Sequence, residues 1–299
     1  MCLFDYPPAK PDNYVGFWGP VTATIDWCEE NYIFSSYIAE SVNSFTNLAF
    51  ILLASFHIYS AIKNKHDPLY IFVAIGFGLV GVGSFWFHMT LLYQYQMADE
   101  LPMVYVTALP FGYVYGWNKP KWISRIWLYG TMLGTVLFTY IYIYWYRNPV
   151  FHQLFYAFLN FGLIFKSIRL IKENVPVQAT RRYLYKMLAF SFGLFAFGFF
   201  IWNCDNIFCG HLIFVRRNYL GLPFGILTEG HGWWHIFTGL GIYYFIIYNE
   251  LLSTHMLKRA DKYQLVWHGP LAEVKLVGKL DDEVPATTEK EQPDDKKTQ

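Results

Sequence analysis

Three histidines in the sequence have the spacing that metal ligands require. His231 and His235 are four residues apart, so a helix would place both imidazoles on one face. His88 is the third candidate, and Ser84 precedes it by the same four residues. Three imidazoles with one open coordination position are typical of a catalytic zinc site. The sequence therefore predicts a zinc ion on these three histidines.

A zinc ion on three histidines would support hydrolysis, because it lowers the pKa of a bound water to about 7 and polarises a carbonyl group. The HxxxH segment lacks the glutamate that follows the first histidine in common zinc hydrolases, so the base must come from elsewhere. Asp99 is the best-placed carboxylate, and Ser84 could donate a hydrogen bond to a developing oxyanion. The alternative is that a histidine forms only interhelical hydrogen bonds. We prefer that interpretation for His57, His152 and His211.

Oxygen-bearing side chains gather just before the first hydrophobic block. Ca²⁺ binds roughly six to eight oxygens from carboxylates, amides and backbone carbonyls. The candidate ligands are Asp26, the Trp27 carbonyl, Glu29, Asn31 and Glu40. Their spacing is not that of an EF-hand. A solvated acidic cap at a helix start explains the same spacing equally well.

Membrane helices must position these residues. Hydrophobic residues make up 55% of the 299 residues and charged residues only 15%, whereas a typical soluble domain has about 25% charged residues. The apolar residues come in blocks of roughly twenty, the length of a helix that crosses ~30 Å of hydrocarbon. Hydropathy predicts an all-α bundle of seven transmembrane helices near 40–62, 69–92, 99–117, 123–145, 150–171, 183–202 and 229–252.

Lysine and arginine are unequally distributed between the two sets of connectors. Fourteen of them fall in one set, whereas the other set holds only Lys10, Arg147, Arg216 and Arg217. Connectors rich in lysine and arginine face the cytosol. The bias therefore predicts a lumenal N-terminus and a cytosolic C-terminus.

This orientation brings the candidate site residues to one side of the membrane. The second block ends on the lumenal side, and the third and seventh blocks begin there. Ionisable groups inside a membrane are costly and are usually functional. Because the orientation rests on lysine and arginine alone, the shared depth supports the metal site independently. The residues that could meet are Ser84, His88, Asp99, His231 and His235.

Three of the four cysteines are candidates for a disulfide on the lumenal side, where disulfides persist. Cys28 precedes the first block, and both Cys204 and Cys209 follow the sixth. Cys209 lies farther from the end of the sixth block and is freer to reach Cys28. The sequence leaves both pairings open.

The chain divides into three predicted parts. Residues 1–38 form a lumenal segment with the calcium cluster, 39–252 the seven-helix catalytic membrane domain, and 253–299 a cytosolic, largely disordered tail. The stretch 203–228 is predicted to connect the sixth and seventh helices. From Asp281 onward the composition is typical of disorder. The net charge of +1, without a basic-aromatic surface, gives no indication of nucleic-acid binding.

Four motifs make the sequence resemble the alkaline ceramidases, within a wider group of seven-helix hydrolases that includes the adiponectin-type receptors. They occur in the family's order and span about residues 15–250. The motifs are Gly19-Pro20 through Asp26-Trp27-Cys28-Glu29-Glu30-Asn31-Tyr32, Gly83-Ser84-Phe85-Trp86-Phe87-His88, Met97-Ala98-Asp99-Glu100-Leu101-Pro102-Met103 and His231-Gly232-Trp233-Trp234-His235-Ile236.

The resemblance implies a specific assignment of roles. It implies Zn²⁺ on His88, His231 and His235, with Ser84 and Asp99 as catalytic partners. It also implies a structural or regulatory Ca²⁺ and a disulfide between two lumenal cysteines. The residues so assigned are Asp26, Trp27, Glu29, Asn31 and Glu40 for calcium, and Cys28 and Cys209 for the disulfide.

The function implied by the resemblance is hydrolysis of a ceramide amide to a sphingoid base and a free fatty acid. The N-terminal arm and the aromatic runs look most like fungal members, which act on phytoceramide or dihydroceramide. Two alternatives belong to other classes. One is a seven-helix receptor of the adiponectin-receptor type with a structural metal, although such a site closes its fourth position with protein. The other is a transporter or proton channel that uses histidine and aspartate as a relay.

The end of the sequence, Lys296-Lys297-Thr298-Gln299, resembles the dilysine signal that returns membrane proteins to the endoplasmic reticulum. Such signals are addresses read by receptors rather than membrane anchors. With the tail in the cytosol, the pattern predicts an endoplasmic reticulum membrane protein that also reaches the Golgi. An ordinary solvated charged tail is the alternative.

Overall fold

The structure is a computed structural model, and it describes residues 4–11 and 13–280. Helices dominate it. In chain order they are α1 (Ser41–Thr46), α2 (Leu48–Lys63), α3 (Pro68–Thr90), α4 (Tyr93–Gly116), α5 (Lys121–Tyr144), α6 (Pro149–Asn174), α7 (Gln178–Val215) and α8 (Gly230–Met256).

Together these helices confirm the predicted seven-helix membrane fold. Helices α1 and α2 are nearly continuous and form one span, Ser41–Lys63. Six spans are long and apolar enough to cross a membrane, and α4 is the seventh helix of the bundle. Its low hydropathy has a plain cause, because it carries Gln94, Gln96, Asp99 and Glu100. Large apolar side chains such as Leu133 stand 70% exposed on the outer surface, as expected of helices that face lipid.

Two predicted helix boundaries were wrong. Helix α4 begins at Tyr93, so Asp99 lies nearly two turns inside it rather than at its start. Helix α7 runs to Val215 and continues as a π turn to Leu220, where the sequence predicted a connector from residue 203. The polar residues in this part lowered the hydropathy, and the helix kinks at Phe208 (φ −103°, ψ 15°) before it continues. A helix that leaves the hydrocarbon no longer needs apolar side chains, so hydropathy underestimates its length.

Helices α3 and α4 approach each other closely beside the candidate site. A Cβ atom built on Gly83 would lie 1.9 Å from the backbone oxygen of Ala98. No side chain fits in that space. Only glycine allows the two backbones to meet here, and the contact lies one residue from both Ser84 and Asp99.

A β-hairpin follows α8, in a part of the chain that was predicted to be largely disordered. Strand β1 (Tyr263–His268) pairs with β2 (Leu271–Leu276) in an antiparallel register, and Gly269 turns between them with a φ of 65°. The Tyr243 hydroxyl of α8 donates to the backbone oxygen of Ala272 and accepts from its N–H. The hairpin is thus bonded to the bundle. The predicted disorder from Asp281 lies outside the described residues.

Candidate metal centre

The three predicted zinc ligands lie together. Helix α3 carries His88 in its last turn, and the first two turns of α8 carry His231 and His235. One ligand atom from each lies within 4.8 Å of the other two, and the Nε2 atoms of His88 and His231 are 3.3 Å apart. All three side chains are buried. In the part of the chain that the structure describes, this is the one such cluster of three or more histidine, cysteine or acidic ligands.

Partners of the outer nitrogens fix two of the imidazoles. The Nδ1 atom of His88 lies 2.5 Å from a carboxylate oxygen of Glu40, so it donates its hydrogen there. The Thr46 hydroxyl donates to the Val42 carbonyl and therefore accepts from Nδ1 of His235, at 2.9 Å. In both rings Nε2 is left with a lone pair that faces the cluster. Metal-binding histidines typically have outer partners of this kind.

The third imidazole is held by an aromatic ring of the N-terminal segment. The indole of Trp27 stacks on His231, with ring centroids 4.1 Å apart and an angle of 17° between the planes. Trp202 of α7 packs edge-on against the other side of that indole. The predicted calcium segment therefore lies directly on the histidine cluster.

Ser84 and Asp99 meet where α3 and α4 touch. Ser84 is buried one turn before His88, and its side chain lies beside the partly buried carboxylate of Asp99. Serine and aspartate thus lie next to each other across the α3–α4 contact, and Ser84 shares its helix with His88. Their predicted catalytic roles stay predictions, since the contact itself tests neither.

The predicted calcium ligands do not converge as the histidines do, since the carboxylates of Asp26, Glu29 and Glu40 do not all lie within 4.8 Å of one another. Glu40 is the most enclosed of them. This carboxylate is fully buried, and its second oxygen, Oε1, has no hydrogen-bond partner among the described residues. Burial raises the pKa of Glu40 well above its usual value, and Asp26 raises it further. Glu29 accepts from the backbone N–H groups of Val42 and Asn43, at 2.7 and 2.8 Å. Burial and the Glu40 charge raise its pKa to about 8.

The other three predicted ligands, Asp26, the Trp27 carbonyl and Asn31, belong to less enclosed residues. Asp26 is exposed, and its Oδ1 accepts from the side-chain amide of Asn31 at 3.5 Å. The side-chain oxygen of Asn31 is buried and has no hydrogen bond in the described chain. Unpaired buried oxygens on Glu40 and Asn31 are the feature that a hard cation would satisfy.

The start of α8 is fastened by several contacts. A disulfide joins Cys28 to Cys209, with 5.4 Å between the Cα atoms, so that pairing is confirmed and Cys204 is a free thiol. The Asp205 carboxylate accepts from the first backbone N–H of α8, that of Gly230, at 3.0 Å. The segment that carries two of the histidines is thus held on several sides.

A buried ion pair adds to this attachment. Arg216 is fully buried and pairs with Glu229 at 2.6 Å, and the hydroxyl of Tyr6 donates to the same carboxylate. Burial raises the pKa of Glu229 to about 8, against the opposing effect of Arg216. Glu229 immediately precedes α8, so the pair ties the N-terminal arm and the end of α7 to the histidine helix.

Comparison with known sequences decides the family. The family model described as "Ceramidase" matches residues 19–276. The chain belongs to the ceramidase family. Among similar proteins, alkaline ceramidase YPC1 of Saccharomyces cerevisiae is 39% identical over 270 residues, which cover 86% of this chain and 85% of the relative. Mouse alkaline ceramidase 3 is 35% identical, covering 84% and 92%. Arabidopsis thaliana alkaline ceramidase is 28% identical, covering 78% and 84%.

The structure adds three residues to the ceramidase site that sequence reasoning missed. Thr46 and Asn47 lie 2.9 and 3.4 Å from Nδ1 of His235. Asp205 caps the histidine helix. A signal existed for the first two, since polar side chains inside the first membrane helix are uncommon. Asp205 was hidden by its assignment to a connector.

Proposed function

We propose that this ceramidase-family protein is a zinc-dependent alkaline ceramidase that hydrolyses the amide bond of a ceramide. The convergence of three buried histidine Nε2 atoms carries the proposal. The fixed tautomers of His88 and His235 support it, because they leave lone pairs where a metal would bind. The names of the related proteins support the substrate class.

The residues fit zinc better than other biological cations. Three imidazoles provide the ligands that zinc prefers in hydrolases, with a fourth position open to solvent or substrate. Zinc bound there would supply a Lewis acid and a lowered pKa for water. His88, His231 and His235 would hold it, and Glu40 and Thr46 would keep two of the imidazoles in place.

The Asp99 carboxylate is the proposed general base and acid. It accepts a proton from the attacking water and later delivers it to the nitrogen of the leaving amine, so that a carbon–oxygen bond forms and the carbon–nitrogen bond breaks. Ser84, whose side chain lies beside Asp99, orients the carboxylate. When substrate is bound, the same hydroxyl can turn to the developing oxyanion.

The proposed substrate is phytoceramide or dihydroceramide, because the N-terminal arm and the aromatic runs resemble fungal members of the family. The apolar interior of the bundle would hold the lipid chains. A panel of ceramides that differ only in the sphingoid base, assayed with the purified full chain, would test this. Equal release of sphingosine and phytosphingosine would contradict the preference. No sphingoid base from any substrate, with zinc still bound, would favour the receptor of the adiponectin-receptor type.

A structural Ca²⁺ on Asp26, Trp27, Glu29, Asn31 and Glu40 is the second part of the proposal. Its support is the unpaired oxygen of the buried Glu40 carboxylate. Glu40→Gln keeps the size of the side chain and removes its charge, so it should abolish the rise in melting temperature that calcium gives the wild type. Glu173→Gln, on the exposed surface of α6, is the control. Equal calcium responses in Glu40→Gln and wild type would place calcium elsewhere.

The proposed location is the endoplasmic reticulum membrane, with the N-terminus in the lumen. A lumenal side would supply calcium and the oxidising conditions that the disulfide requires. Lys296 and Lys297 lie outside the described residues, and their role rests on the sequence alone. Replacing both with serine should move the protein toward the Golgi under the microscope. An unchanged distribution would show that the signal is not used.

A further inference from the structure

A second set of buried ionisable groups lies at the end of the bundle opposite the three-histidine centre. It comprises His57 of α2, His66 of the α2–α3 connector and Glu250 of α8. Glu250 follows His235 by fifteen residues on one helix, which places it about 22 Å away along the axis. The proposed hydrolysis uses none of these side chains.

The tautomer of His66 can be derived from its contacts. Its Nε2 lies 2.5 Å from the backbone oxygen of Val274 in the hairpin, so this nitrogen carries the hydrogen and donates it. In the neutral ring Nδ1 then has only a lone pair. That lone pair lies 3.6 Å from a carboxylate oxygen of Glu250, which also has no hydrogen to donate when ionised. Two acceptors therefore face each other.

His57 adds another nitrogen to the same oxygen. Its Nε2 lies 3.7 Å from Oε1 of Glu250, which is too long for a hydrogen bond. Both ring nitrogens of His57 and both carboxylate oxygens of Glu250 are buried and have no hydrogen bond within the described chain. Both side chains are fully buried. An uncompensated buried carboxylate is costly, so Glu250 must either be protonated or have a cation beside it.

The neighbouring carboxylate, Glu273, shows that the hairpin end can satisfy such a group with protein atoms. Its oxygens accept from Ser60 and Asn64 and contact His268. Glu250 lies under the same hairpin and receives none of these donors. At this end of the bundle Glu250 and His57 thus lack hydrogen-bond partners, whereas Glu273 and His66 have them.

We propose that His57, His66 and Glu250 bind a second zinc ion. Two imidazoles and one carboxylate are a common zinc donor set, and a water can complete the tetrahedron. Ligand atoms of a tetrahedral zinc site are about 3.3 Å apart, given zinc–ligand distances of about 2.0 Å. The distances of 3.6 and 3.7 Å to Glu250 are close to that value. The hydrogen bond to Val274 is the outer contact that holds a zinc-binding imidazole.

This second site is looser than the three-histidine centre, in which all ligand atoms lie within 4.8 Å of one another. Both imidazoles already lie near ligand distance from Glu250, so the two imidazoles must approach each other when the ion binds. The consequence is mechanical. His57 belongs to α2, Glu250 to α8, and His66 is bonded to strand β2, so the ion ties the hairpin to two helices. It takes no part in hydrolysis.

The test is the zinc content of the purified full chain, measured by mass spectrometry after removal of loosely bound metal. Wild type should contain two zinc ions per chain. His57→Gln and Glu250→Gln should each contain one, and His231→Ala should also contain one. His268→Gln, a half-exposed histidine of the same hairpin, is the matched control and should keep two.

A second measurement covers variants that bind zinc but fold poorly. Cobalt(II) substituted into His231→Ala should give the visible absorption bands of a tetrahedral site, and these should be absent from the double variant with Glu250→Gln. One zinc ion in wild type, lost in His231→Ala and kept in His57→Gln, would overturn this inference and leave the proposed function intact. If wild type contains one zinc ion and only His57→Gln loses it, the second site is supported and the proposed zinc on the three histidines is contradicted.

Discussion

The two ends of the bundle both bury histidines beside a carboxylate, but they hold them differently. At the three-histidine end, His88 and His235 each have a hydrogen-bond partner that turns Nε2 toward the cluster. At the hairpin end, His66 has such a partner, whereas His57 and Glu250 have none. The three-histidine end therefore has its ligands in place, whereas at the hairpin end only His66 is held by a hydrogen bond.

The attachments of the two ends differ in the same way. The three-histidine end is tied by the Cys28–Cys209 disulfide, the buried Arg216–Glu229 pair and the Asp205 cap. The hairpin end depends mainly on hydrogen bonds that Tyr243 and Tyr244 donate to hairpin carbonyls and that the Leu276 N–H donates to Asn64. A site that must hold reacting groups in a fixed geometry needs a rigid surrounding, whereas a site that only fastens a hairpin does not.

The largest difference between the ends should appear in hydrolysis. His231→Ala removes a proposed ligand, so ceramide hydrolysis should fall below detection and one zinc ion should be lost. His268→Gln at the hairpin end should retain wild-type turnover. The measurement is released sphingoid base, with zinc content determined on the same samples. Retained zinc and turnover in His231→Ala would show that the two ends do not differ in chemistry.

Asp99→Asn should separate catalysis from metal binding at the first end. The amide cannot accept a proton, so kcat should fall by about 10²–10⁴-fold, the usual contribution of a general acid–base group. Zinc content should stay at the wild-type level, because Asp99 lies beside Ser84 and is not one of the three proposed ligands. A near-normal rate would require another base, and loss of zinc would place Asp99 among the ligands.

Thr46→Val tests whether hydrogen bonds to the outer nitrogens of the histidines strengthen zinc binding at the three-histidine end. It removes the acceptor for Nδ1 of His235 and keeps the shape of the side chain. Loss of such a partner typically weakens zinc binding by about 10–100-fold, measured by competition with a chelator. Thr131→Val is the matched control, because the Thr131 hydroxyl bonds only to the preceding turn of α5. Equal affinity in both variants would contradict the proposed role.

Tyr243→Phe tests the attachment of the hairpin end, where the smallest effect is expected. It leaves the backbone N–H and carbonyl of the buried Ala272 unpaired, which costs about 1–3 kcal/mol. The melting temperature should fall modestly, while the zinc bound to the three histidines stays. Tyr140→Phe, on the exposed face of α5, should change neither quantity. Loss of hydrolysis in Tyr243→Phe at full zinc content would mean that the two ends are coupled.

The sequence predicted the bundle and the histidine centre well, for physical reasons that can be stated. Hydrocarbon forces every span to be helical, so hydropathy predicted all seven helices, six of which are long and apolar enough to span a membrane in the described chain. The i, i+4 spacing then fixes the face on which His231 and His235 lie. The Cys28–Cys209 pairing followed from the family resemblance, since spacing left Cys204 open.

What the sequence could not supply depends on long-range contacts. The role of Thr46 appears only when α1 and α8 are packed together, 189 positions apart in the chain. The hairpin was missed because its apolar and charged residues look like a tail until Ala272 and Val274 are buried against the bundle. Helix α7 was cut short because hydropathy reports the thickness of the membrane rather than the length of a helix.

The close approach at Gly83 has a consequence for how mutational scans of this enzyme should be interpreted. Every substitution there, alanine included, would force the α3 and α4 backbones apart and move Ser84 away from Asp99. In a saturation screen, position 83 should therefore be as intolerant as a metal ligand. A genetic map of essential positions would include it among the catalytic residues, although its contribution is the absence of a side chain.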